Sequence, residues 1–146
     1  MEVSEFIVKF YIKAYEDKNL EELTQSPVFA ISGVSESDAE DLKKAFNIET
    51  VEDLAANKYV RLSQGINAFS ECEGEVLDKV FESQEFQNLA AKPVSAIAGI
   101  SAGDAVLLKK AFGIESIKDL AKNKYVSIAQ TTVAMASLCQ FLIIVD

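Results

Sequence analysis

Histidine and tryptophan are absent from this 146-residue sequence, and cysteine and proline occur only twice each. Without histidine the chain lacks the commonest general acid–base group and the commonest metal ligand. The two cysteines, Cys72 and Cys139, stand in opposite halves outside any CxxC pair. No zinc site can be drawn from them, and both are expected to be buried apolar residues. No catalytic residue, metal ligand or cofactor is expected, and the chain reads as non-enzymatic.

Positive charge is also scarce, with 14 basic against 23 acidic side chains and a net charge of -9. Such a surface repels phosphate, which disfavours a nucleic-acid partner. The opening Met1-Glu2-Val3-Ser4-Glu5 is acidic where a leader would be basic, so the expected location is cytoplasmic. One uncharged stretch, 126–145, reaches membrane-spanning length. It contains Gln130, Thr131, Thr132, Ser137 and Gln140, and its first half aligns with a segment carrying Arg61 and Glu71. No membrane partner is expected. Apolar residues make up 49% and charged residues 25%, a globular rather than disordered composition.

What is present is a repeat. Pro27-Val28 and Pro93-Val94 open two segments that match without a gap, and about 23 of 38 positions are identical between 27–64 and 93–130. The match includes Leu42-Lys43-Lys44-Ala45-Phe46 against Leu108-Lys109-Lys110-Ala111-Phe112. Upstream only the apolar pattern persists, with Tyr11, Tyr15, Leu20 and Leu23 opposite Leu77, Phe81, Phe86 and Leu89. The chain therefore reads as unit 1, residues 1–74, and unit 2, residues 75–146, with the boundary at Glu73-Gly74.

Capping residues punctuate each unit. Ser35 with Asp38 and Ser101 with Asp104 form capping boxes just after Gly33 and Gly99, and Thr50 with Asp53 and Ser116 with Asp119 repeat the device. Asn47 and Gly113 occupy one position and both tolerate a left-handed helix stop. Asn57 and Asn123 are placed to cap a last helix beginning Lys-Tyr-Val, anchored by Tyr59 and Tyr125. No segment sustains strand alternation, so the expectation is an all-α fold, a tandem duplication of a unit of about 66 residues with about five helices per unit. Phe6, Phe10, Phe29, Phe46, Phe69, Phe81, Phe86 and Phe112 fall at helical spacings and are expected in the core.

The string Ile31-Ser32-Gly33-Val34-Ser35, followed by Asp38-Ala39, Leu42, Phe46-Asn47-Ile48, Thr50-Val51 and Asp53-Leu54-Ala55, resembles the helix-hairpin-helix family. So does its twin from Ile97-Ala98-Gly99-Ile100-Ser101 through Gly113-Ile114 to Asp119-Leu120-Ala121. The motif-like cores lie at about 27–64 and 93–130. In nucleic-acid-binding members of the family, glycine-framed amides approach a phosphate and a nearby cation helps to hold it. This resemblance implies an alternative reading in which Gly33, Ser35, Lys43 and Lys44, with Gly99, Ser101, Lys109 and Lys110, bind phosphate. The chain departs from that pattern, because serine replaces the second glycine and Glu36-Ser37 and Ala102-Gly103 follow it. Lysines at a helix C-terminus also complement the helix dipole.

The units differ most in charge. Residues 1–74 hold 7 basic and 15 acidic side chains, and residues 75–146 hold 7 and 8. Glu36, Glu40 and Asp41 become Ala102, Val106 and Leu107, while Asn67 and Glu71 become Val133 and Ser137. Val106, Leu107, Val133, Phe141, Leu142 and Ile144 are therefore the candidate interface residues. The face they define could pack unit 2 on unit 1, meet a protein partner or second copy, or contact a membrane. The expected function is protein–protein interaction or self-association.

Overall fold

In the computed structural model, residues 2–76 and 85–145 are described, without the side chains of 73–76 and 142–145. The described residues are all-α. The helices are α1 (Val3–Phe10), α2 (Leu20–Thr24), α3 (Glu36–Phe46), α4 (Val51–Ala56), α5 (Lys58–Val76), α6 (Glu85–Ala90), α7 (Ala102–Phe112), α8 (Ile117–Ala121) and α9 (Lys124–Val145). Short 3-10 turns precede α3 and α7, at Val28–Ala30 and Val94–Ala96. Leu77 and Phe81 lie outside the described residues.

Local chemistry sets these boundaries. Ser35 and Ser101 accept hydrogen bonds from the amides of Asp38 and Asp104 at 3.0 Å, and each aspartate accepts the serine amide in return. Thr50 with Asp53 and Ser116 with Asp119 do the same for α4 and α8. Asn47 and Gly113 end α3 and α7 with φ of 57° and 69°, the left-handed conformation that frees the chain to turn. Asn57 and Asn123 accept the amides of Tyr59 and Tyr125, starting α5 and α9. Antiparallel bridges of Pro27 to Thr50 and of Pro93 to Ser116 tie each 3-10 turn to the start of its following short helix.

Packing then crosses between the halves. The apolar face of α4, Val51, Leu54 and Ala55, is covered chiefly by α9, and that of α8, Ile117, Leu120 and Ala121, by α5. Helix α9 also lies on α2, α5 on α6, and α3 on α7. Gln64 and Gln130, equivalent residues, exchange two amide hydrogen bonds of 2.8 Å. A residue that pairs with its own equivalent sits on a local two-fold axis, as at an isologous interface. Helix α5 runs unbroken through Glu73-Gly74.

One cluster of buried side chains includes residues from both halves, and apart from Tyr11 it is aliphatic. Leu23, Val28, Ile31, Leu42, Ile48, Leu54, Leu108, Ile114 and Leu120 are all no more than 2% exposed. The phenylalanines depart from expectation. Phe6, Phe10, Phe29, Phe46 and Phe112 are half-buried around this core, and Phe69 is exposed, stacking on Phe86 with ring centres 4.6 Å apart. Phe81 lies outside the described residues. The branched aliphatics fill the narrow gaps between short helices, and the larger rings are left at the rim. The cysteines also differ from expectation: Cys72 is half-buried and Cys139 is exposed.

Candidate interaction surfaces

The glycine turns come first, because they carry the phosphate-binding alternative. Gly33 and Gly99 have φ of 99° and 98°, a backbone conformation open to glycine. Each is approached by the tyrosine of the other half: Tyr125 packs on Gly33 and Tyr59 on Gly99. The Tyr125 hydroxyl donates to the Gly33 carbonyl at 3.3 Å. Each tyrosine ring also rests on a phenylalanine of its own half, Tyr59 on Phe46 and Tyr125 on Phe112, with ring centres 4.8 Å apart in both pairs. Each turn is thereby covered on one side by a tyrosine, while Gly33, Ser35, Gly99 and Ser101 stay exposed.

The lysines of that alternative are engaged elsewhere. Lys43 and Lys109 bind Glu49 and Glu115 at 2.9 Å. The hydrogen bond that the Lys43 ammonium donates to the Glu49 carboxylate holds its pKa above the ordinary value. Lys44 approaches Glu40 at 3.7 Å, and Lys110 approaches Asp41 at 3.9 Å. Within each unit the lysines lie at the C-terminal end of α3 or α7 and the glycine and serine at its N-terminal end. With eight residues from Ser35 to Lys43 the separation along the axis is about 12 Å. The fold does not bring the two sets together within a unit.

The candidate apolar face is divided by the structure. Leu107 is half-buried, and Val133 is half-buried against the shared core beside α2 and α4. Val133 therefore belongs to the packing of the two halves. Val106 on α7 is 66% exposed and Phe141 on α9 is 57% exposed. The side chains of Leu142 and Ile144 lie outside the described residues. Leu138, which sequence reasoning missed, is exposed to the same extent as Phe141. The two are three residues apart on one helix face, and that spacing was the available signal.

The halves are also tied electrostatically. Lys122, just after α8, binds Glu71 of α5 at 2.7 Å, and Asn67 donates to the same carboxylate. The Lys122 hydrogen bond, then that of Asn67, hold the Glu71 carboxyl below its usual range. Among the described residues no group of three or more His, Cys, Asp or Glu side chains is placed to hold a metal ion. Among them, too, no helix is long and apolar enough to cross a membrane. Compared with known protein families, curated proteins and solved structures, the chain matches none.

Proposed function

We propose that this chain is a non-enzymatic protein-interaction module, built on two helix-hairpin-helix-like units, that self-associates through the outward face of α9. The observation that carries this reading is the exposure of Leu138 and Phe141, 57% each, on a helix with no charged residue between Tyr125 and Val145. Large apolar side chains adjacent on one face lose unfavourable water contact when a second apolar surface covers them. A second copy fits this face, because two such stretches meet without opposing like charges despite the net charge of -9 on each chain. The absence of histidine supports the non-enzymatic part of the reading.

Light scattering tests it. The intact chain should weigh twice its 16.0 kDa monomer mass, and a Leu138→Glu/Phe141→Glu variant with unchanged circular dichroism should weigh one monomer. A native chain that stays monomeric at high concentration, or a folded variant that stays dimeric, defeats the reading.

A further inference from the structure

A second surface, distinct from the α9 face, has a different character. A groove of about 520 Å³ runs between α1 and the first half of α9, lined by Phe6, Phe10, Tyr125 and Ile128 with Lys122 and Lys124 at its edge. The Phe6 and Phe10 rings are tilted on one another at 5.0 Å, and both remain half-exposed. The Lys124 ammonium, among the lining residues, stands 5.0 Å from the Tyr125 ring centre, and that of Lys9, just outside the lining on α1, stands 5.3 Å from the Phe10 ring centre. Neither lysine has a carboxylate within ion-pair distance among the described residues, whereas Lys18, Lys43, Lys44, Lys109, Lys110 and Lys122 all do. In a chain of charge -9 the groove is thus a local positive rim around an aromatic floor.

The repeat shows which of these features the fold does not need. Lys124 over Tyr125 recurs as Lys58 over Tyr59. The α1 wall does not recur: the positions equivalent to Phe6, Lys9 and Phe10 hold Cys72, Glu75 and Val76. Both aromatic rings are lost there and the charge is reversed.

We propose that this groove binds a short acidic segment of a partner protein carrying an aromatic or branched aliphatic anchor. The anchor lies on Phe6, Phe10 and Ile128, and flanking aspartate or glutamate carboxylates face Lys9 and Lys124. Charge complementarity selects the occupant, since the same anchor flanked by lysines would be repelled by Lys124 in the groove and by Lys9 beside it. The ammonium groups are held over aromatic rings, so they are positioned before the ligand arrives.

The chain has no tryptophan, so a tryptophan in a probe reports only its own surroundings. The probe is a synthetic peptide of about ten residues with one Trp-Leu pair between runs of Asp and Glu, titrated with the intact chain. A saturable blue shift of its emission is expected. Affinity should fall about tenfold in Lys9→Glu/Lys124→Glu, whose exposed side chains leave the fold intact by circular dichroism, and should fall with added salt. The Leu138→Glu/Phe141→Glu variant should bind as the native chain does, which separates this site from the self-association face. The inference is overturned by no saturable shift at low salt, by equal binding of a Lys-flanked peptide, by undiminished binding in the lysine variant, or by loss in the α9 variant. Saturation by dodecanoate but not by the peptide would assign the groove to a small amphiphile and also overturn it.

Discussion

Gly33 combines two constraints that a single substitution can separate. Its φ of 99° strains any L side chain, and an added Cβ would stand 2.7 Å from the Tyr125 hydroxyl oxygen. Gly33→Ala should therefore lower unfolding free energy by about 1–3 kcal/mol. Combining it with Tyr125→Phe should recover the part due to the hydroxyl oxygen, but neither the ring-carbon contacts at 3.2 and 3.3 Å nor the backbone part. Urea unfolding of the two single variants and the double variant gives the coupling directly, and strict additivity would mean that the hydroxyl is not the obstruction. Ser63 offers the opposite case. It is fully buried with no hydrogen-bond partner for its hydroxyl among the described residues, and its equivalent in the other half is the equally buried Ala129. Ser63→Ala removes an unsatisfied group and should raise stability by about 1 kcal/mol, read as a higher urea midpoint at unchanged m-value.

At the scale of elements, stability at helix starts is tied to pH. The Asp119 carboxylate accepts the amides of Ser116 and Glu115 at 3.0 and 3.1 Å, and these bonds, the one from Ser116 foremost, hold its pKa below the ordinary value. Because the folded-state value is the lower one, the stabilisation is present above the ordinary aspartate range near 4 and is lost as pH falls through the depressed value. Asp119→Asn should cost about 0.5 kcal/mol at pH 7, since the group is at the surface, and should flatten the acid limb of stability against pH. Thermal melts from pH 7 to pH 3 measure this, and an unchanged acid limb would remove the cap from the account. The helix starts and stops were legible because a capping residue and its acceptor lie within four positions of one another. Ser35, Asn47, Thr50 and Asn57 could be placed from local chemistry alone. The phenylalanines could not, because spacing shows that a face is apolar without showing how wide a gap faces it.

For the whole molecule, the crossed packing has a consequence for fragments. Helix α4 is covered by α9 and α8 by α5, so neither half keeps its short helices covered when alone. Fragments 1–80 and 81–146 should each show low helicity and no cooperative melt, and an equimolar mixture should regain both, as followed by far-ultraviolet circular dichroism. Cooperative folding of either fragment alone would show that its long helix can fold back onto its own short one. The groove escaped sequence reading for a related reason. Phe6 and Phe10 were sequence neighbours of Lys9, but Tyr125 and Ile128 join them only when α9 reaches back to α1. The signal that was present lay in the replacement of Phe6, Lys9 and Phe10 by Cys72, Glu75 and Val76.

The sequence by itself determined the helical elements, their caps and the repetition of those elements, because each depends on groups a few residues apart. Only the tertiary structure decided which half each long helix covers. The buried faces of α4 and α8, Val51, Leu54 and Ala55 against Ile117, Leu120 and Ala121, are nearly the same surface. Apolar periodicity identifies such a face but does not distinguish one copy's cover from the other's. The choice rests on contacts made between the halves: Tyr125 over Gly33, Gln64 with Gln130, and Glu71 with Lys122. None of these pairs is visible until the chain has folded.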